Sequence, residues 1–102
     1  MSIQIGSYTF EGPIGTPESL RNNSGVYAVL TRRLSTEPYT VIDIGESGGI
    51  RDRVVNHDRS AERARANQGN GIYFAAYYCN ERDRGRIESE LRTAYRPVCG
   101  VR

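Results

Sequence analysis

Two β-rich runs separated by a short polar turn constrain the fold of this chain more than any other feature. The runs are VYAVLTRR at residues 26–33 and YTVIDIG at residues 39–45, with LSTEP between them. Both are rich in valine, isoleucine, tyrosine and threonine, which are enriched in strands. Thr36, Glu37 and Pro38 suit the turn, so the sequence predicts an antiparallel β-hairpin.

The residues before this hairpin predict one further strand. IQIGSYTF at residues 3–10 alternates well enough for a short strand. In the following EGPIGTPESLRNNSG, glycine, proline, asparagine and serine interrupt the pattern and leave at most one helical turn, at PESL. We therefore expect a lead-in to the main fold.

The residues after the hairpin predict a helix, a strand and a second helix. Ile50 and Val54 have helical spacing and follow the glycines of ESGG. The nearly continuous apolar run GIYFAAYYC at residues 71–79 predicts a strand covered on both faces. IESELRTAY then places its apolar residues on one helical stripe, which is expected to end before Pro97.

These elements predict one α+β domain, which is what 102 residues can form. We expect a central three-stranded antiparallel sheet flanked by helices, with the short N-terminal strand added to it. The domain would span residues 1–102, with its core at about 24–97.

Composition excludes several classes of protein. Charged residues make up 25% and hydrophobic residues 37%, as in folded soluble domains. Cys79 and Cys99 form no CxxC pair and the chain has one histidine, so neither a disulfide scaffold nor a zinc site is indicated. No stretch approaches the roughly 18 apolar residues of a membrane span, and no signal peptide is recognisable. We expect a cytoplasmic protein that does not enter a membrane.

Positive charge is carried by arginine alone, since all 14 basic residues are Arg. Guanidinium groups are planar, forked donors that suit phosphate, although genomic base composition explains this bias more simply. The net charge of +2 does not by itself identify a nucleic-acid-binding protein. Arginines are dense between Arg51 and Arg65, which predicts a basic face there.

The letters GIY occur at residues 71–73, but they are not followed by a second triplet of this kind or by a predicted helix rich in arginine. Gly25, Val26 and Tyr27 begin the first hairpin strand instead, and Asp43, Ile44 and Gly45 end the second. The predicted helix with its arginines comes directly afterwards. We call these two triplets, one on each strand of the predicted hairpin, the half-motifs.

The spacing of four elements completes the pattern. Arg53 lies eight residues after Gly45, His57 follows four residues later, and Glu88 lies nine residues before Pro97. In this register the chain resembles the GIY-YIG nuclease family, in particular its small standalone bacterial members. The resemblance extends from Tyr27 to Pro97, which is most of the chain, and implies a small GIY-YIG-like domain.

The resemblance implies a metal-dependent endonuclease that hydrolyses phosphodiester bonds of nucleic acid, with DNA as the expected substrate. Tyr27 would be the general base or orient the water, although a phenol with its ordinary pKa of ~10 needs a nearby cation for this role. Arg53 would hold the scissile phosphate and His57 would relay a proton or donate to phosphate. Glu88 would anchor one Mg²⁺ or Mn²⁺ ion.

Each of these residues also has a purely structural interpretation. Tyr27 can be a partly buried strand residue, Arg53 a solvated helix residue, and His57 a partner of a nearby carboxylate. Glu88 can form a surface salt bridge to Arg84 or Arg92, and helical geometry alone does not distinguish it from Glu90. Arg51 is the alternative to Arg53 on the helix.

Two residues depart from the family pattern. Asp43 replaces the second tyrosine, and Gly100 replaces an asparagine that is often found there. Strand alternation would put Asp43 on one face with Val41 and Gly45, where it could assist a metal, tune Tyr27 or repel phosphate. The alternative function is therefore a catalytically silent module that binds nucleic acid or protein. A homodimer or a separate targeting partner remains open in either case.

Overall fold

A computed structural model describes residues 1–32, 34–56 and 71–95. Within these ranges the chain is α+β, as predicted, and none of the helices is long and apolar enough to cross a membrane. The elements, in chain order, are β1 (Ser2–Ile5), β2 (Tyr8–Ile14), a 3-10 turn (Pro17–Ser19), β3 (Gly25–Arg32), β4 (Thr40–Ser47), α1 (Ile50–Asn56), β5 (Gly71–Tyr78) and α2 (Glu81–Tyr95).

The described strands form one antiparallel sheet in the order β1-β2-β5-β3-β4. The predicted hairpin, the strand at residues 71–79 and the final helix are confirmed. β3 lies between β4 and β5, and its residues from Gly25 to Thr31 are all buried. The central position of β3 explains its apolar sequence, because both of its faces lie under other parts of the chain.

The prediction of a three-stranded sheet with one short N-terminal strand was wrong, because five strands of the described residues form the sheet. The backbone turns at Gly6, where φ is +60°, so IQIGSYTF contributes to two paired strands. β2 then continues through Pro13, where the sequence predicted an interruption. Proline is accommodated there because pairing with β1 ends at Glu11 and the register with β5 shifts before Ile14.

Each face of the sheet carries its own apolar cluster. The cluster on the first face includes Tyr27 and Val29 of β3 and is covered by Ile50 and Val54 of α1. The cluster on the opposite face is covered by α2 through two buried residues, and its fully buried members include Val26, Ala28, Leu30, Ile44, Ile87 and Leu91. The two helices that carry the predicted site residues therefore pack on opposite sides of the sheet.

Replacing Gly85 with alanine should raise the free energy of unfolding by about 1 kcal/mol, because glycine is a poor helix former. Gly85 is exposed in α2, and a Cβ added there would meet nothing within 4 Å beyond its chain neighbours and the backbone of its own helix. Urea denaturation would measure the change. Gly12→Ala is the matched opposite case, since Gly12 has φ +122° and its Cβ would lie 2.7 Å from the Phe74 carbonyl oxygen. Equal effects of the two substitutions would contradict this interpretation.

Candidate functional site

The two half-motifs meet as neighbours across the hairpin. Tyr27 of β3 pairs with Gly45 of β4, and Gly25 pairs with Ser47. The outer part of the Tyr27 ring, including its hydroxyl, occupies the space that a side chain at position 45 would need. β4 is an edge strand, so the phenol lies over the edge of the sheet while the residue as a whole is 1% exposed. Glycine at position 45 is therefore required by the packing of Tyr27.

Gly45→Ala should lower the free energy of unfolding by about 2 kcal/mol, because an added methyl group displaces a buried ring. Chemical denaturation would measure the loss, and near-ultraviolet circular dichroism would report the displaced tyrosine. Gly48→Ala is the matched control, since the nearest atom to its Cβ is the flexible Arg84 Nη1 at 3.7 Å. If the Gly45→Ala and Gly48→Ala variants had the same free energy of unfolding, this interpretation would be wrong.

Asp43, which replaces the expected second tyrosine, is a buried carboxylate with two partners. It is 8% exposed, and its Oδ1 accepts hydrogen bonds from the Ile44 N–H at 2.9 Å and from Arg92 Nη1 at 3.4 Å. Arg92 Nη1 also donates to the Ile44 carbonyl at 2.6 Å. The negative charge that could repel phosphate is therefore balanced by a guanidinium from α2.

A bulge in the hairpin lies next to Asp43. The register shifts so that Val29 pairs with Asp43 whereas Leu30 pairs with Val41. The strict alternation that predicts a shared face for Asp43 and Val41 is therefore interrupted between them. The extra residue, Ile42, could not be recognised from simple alternation.

Glu88 lies in a row of charged residues on α2, with Arg84 one turn before it and Arg92 one turn after it. Both arginines contact β4 and its surroundings: Arg84 Nε donates to Glu46 Oε1 at 2.6 Å, and Arg92 binds Ile44 as described. The row therefore runs along the edge strand, and the half-exposed Glu88 is placed beside it.

Glu90, the alternative to Glu88 on α2, contacts the N-terminal part of the sheet. Glu90 Oε1 accepts a hydrogen bond of 2.9 Å from the Tyr8 hydroxyl, so its carboxylate lies toward β2. This bond raises the pKa of Tyr8, because the carboxylate stabilises the protonated phenol. Glu90 is thus committed to a contact remote from the hairpin half-motifs.

The described residues contain no group of three acidic, histidine or cysteine side chains that could hold a metal ion. A single carboxylate completed by substrate phosphate oxygens and water is nevertheless a common arrangement for Mg²⁺. The oxygen ligands of Glu88 fit such an ion.

Arg53 lies on the exposed surface of α1, and its guanidinium forms no ion pair or hydrogen bond with other described residues. Arg51, the alternative, has its Nε 3.9 Å from Asp52 Oδ1, at the outer limit of an ion pair. His57 and Pro97 lie outside the described residues, as do Gly100 and residues 57–65 of the predicted basic face.

The structure thus joins Tyr27 directly to Gly45 and packs α1, which carries Arg53, on the same face. Glu88 comes from the helix on the other face and lies beside the same edge strand. The sequence predicted Arg84 and Arg92 only as possible salt-bridge partners of Glu88, and their attachment of α2 to this strand was missed. Their four-residue spacing around Glu88 was the available signal, because residues four apart share a helix face.

Comparison with known proteins found no match: no family model, no curated protein and no solved structure corresponds to this chain. The resemblance to GIY-YIG nucleases therefore stays a prediction that rests on the motif and its spacing.

Proposed function

We propose that this chain is a metal-dependent endonuclease that hydrolyses phosphodiester bonds of nucleic acid, with DNA as its expected substrate. The observation that carries the proposal is the fit of Tyr27 over Gly45 at the edge of the hairpin. This pairing gives a packing reason for both half-motifs. It also places a phenol hydroxyl on the strand that leads directly into the helix of Arg53.

The residues have separate roles in this proposal. Arg53 binds the scissile phosphate, since an exposed guanidinium without a described ion-pair partner keeps its donors for an anion. Tyr27 accepts a hydrogen bond from the attacking water and orients it, because packing over Gly45 restricts the ring. His57 passes the proton onward or donates to a phosphate oxygen.

Glu88 would hold the divalent ion in this proposal. When bound, the ion supplies positive charge that stabilises the additional negative charge on phosphorus in the transition state. The carboxylate itself contributes a fixed oxygen ligand on α2, beside the edge strand. Arg84 and Arg92 hold α2 against β4 and so keep this carboxylate in place.

A second function is a binding module that does not cut. Two observations favour it: Tyr27 is 1% exposed, and Asp43 is paired with Arg92 where the family has a second phenol. Such a module would still use Arg53 and the neighbouring arginines on phosphate. Its affinity for nucleic acid would then fall steeply with added salt, because phosphate contacts release counterions.

Cleavage assays separate the two functions. The purified chain would be incubated with supercoiled plasmid, linear duplex, single-stranded DNA and RNA, in Mg²⁺, in Mn²⁺ and in EDTA. We expect DNA products in the presence of metal and none in EDTA. Salt-sensitive binding without cleavage of any substrate would support the binding module and reject the nuclease.

A further inference from the structure

The first turn of α1 is held by a segment that precedes β3. Asn22 Oδ1 accepts a hydrogen bond from the Asp52 N–H at 3.1 Å, and Asn22 Nδ2 donates to Asp52 Oδ2 at 3.1 Å. Beside it, the Asn23 carbonyl accepts from the Ile50 N–H at 3.0 Å. Three bonds therefore tie residues 22–23 to the start of the helix that carries Arg53.

Asn22 takes the place of a missing capping side chain. Gly49 occupies the N-cap position, because its carbonyl accepts the Arg53 N–H at 3.1 Å. An N-cap side chain normally accepts the N–H of the third helical residue, which is Asp52, but glycine has none. A Cβ at position 49 would lie 2.8 Å from Asn22 Oδ1. The absence of a side chain there lets Asn22 make the capping bond from another segment.

This arrangement links the two halves of the proposed site. Asn22 lies three residues before Gly25, where the strand of Tyr27 begins. Its side chain contacts the helix that carries Arg53. A helix of seven residues has little stability of its own, so its direction depends on such contacts. A cap from the preceding residue would stabilise α1 without orienting it against β3.

We infer that Asn22 is a positioning residue that sets the orientation of Arg53 relative to Tyr27, and so acts on phosphate binding through Arg53. This inference rests on the proposed function. It predicts that the effect of Asn22 on nucleic-acid affinity disappears when the Arg53 guanidinium is absent. A residue that only stabilised the fold would have the same effect with or without Arg53.

The test is a double-mutant cycle on the affinity for a fluorescent DNA duplex, measured by anisotropy at low salt without metal. Asn22→Ala should weaken binding by about fivefold, from the cost of a lost cap. In the Arg53→Ala background it should change affinity by less than about 1.5-fold if the two residues act as one unit. The same factor in both backgrounds, or no effect of Asn22→Ala in the parent, would overturn the inference.

Two further variants exclude a general loss of stability. The exchange Asn22→Asp with Asp52→Asn keeps a donor and an acceptor at the contact, and should restore at least half of the lost affinity. Asn80→Ala removes the corresponding cap of α2, where Asn80 Oδ1 accepts the Asp83 N–H at 3.0 Å. Its effect should be equal in both Arg53 backgrounds. Failure of the exchange to restore binding would count against the positioning role.

This design keeps the inference and the proposed function distinct. A chain that binds the duplex with the expected coupling but cuts no substrate would reject the nuclease and retain the positioning role. A chain that cuts DNA but shows no coupling between positions 22 and 53 would support the nuclease and reject the positioning role of Asn22. A chain that does not bind nucleic acid would reject both.

Discussion

Arg53→Ala should lower the rate of DNA cleavage by about 10²- to 10³-fold, the usual cost of removing a group that stabilises transition-state charge. The free energy of unfolding should change by less than about 0.5 kcal/mol, because an exposed side chain without a described partner adds little to stability. Single-turnover cleavage with excess protein would measure the chemical step. Denaturation of the same preparation would show that the fold is unchanged.

Arg82→Ala is the matched control for this prediction. Arg82 is also an exposed helical arginine, and the substitution removes the same charge, but it lies at the start of α2. We expect its cleavage rate to stay within about threefold of the parent, since an exposed charge with no proposed contact to the scissile phosphate acts only through screened electrostatics. A larger loss from Arg51→Ala than from Arg53→Ala would transfer the phosphate-binding role to Arg51.

Glu88→Gln should lower cleavage by about 10²-fold or more at low metal concentration, because the variant loses the charged ligand of the divalent ion. The amide has nearly the same shape, so the substitution tests charge more than packing. A titration with Mg²⁺ and with Mn²⁺ should show that the variant requires more metal than the parent. Equal rates and equal metal dependence would remove Glu88 from the mechanism.

Glu90→Gln provides the comparison, because it makes the same chemical change two residues away on the same helix. Glu90 accepts the Tyr8 hydroxyl, and a glutamine oxygen can still accept that bond. We therefore expect little change in cleavage or in metal dependence. If Glu90→Gln were the more damaging substitution, the spacing to Pro97 would have identified the wrong carboxylate.

Local sequence predicted the β3–β4 hairpin but not the N-terminal hairpin. β3 and β4 are joined by a short turn, so their β-rich residues and that turn were sufficient to predict them. The N-terminal hairpin was missed because IQIGSYTF was predicted as one strand across Gly6, where the chain turns. The far end of β2 was missed because it contains Pro13, which is tolerated through the offset pairing of β2 with β5. That pairing joins residues about sixty positions apart and has no local signature.

The candidate site also combines features that the sequence predicted with features that only the structure shows. Sequence spacing proposed Tyr27, Arg53, His57 and Glu88, but it could not choose Glu88 over Glu90, because both border the apolar stripe of α2. The contact of Glu90 with Tyr8, which joins α2 to β2, was not visible in that spacing. The pairing of Asp43 with Arg92 was equally hidden, since it joins an edge strand to a helix from the end of the chain.

The sequence by itself determined the α+β class, the hairpin, both helices and the candidate residues, because strand and helix patterns and motif spacing are short-range properties. The tertiary structure alone decided the five-stranded sheet, the position of Tyr27 over Gly45 and the capping of α1 by Asn22. These depend on close packing and on hydrogen bonds between distant segments. Such contacts form only when the whole chain brings the segments together.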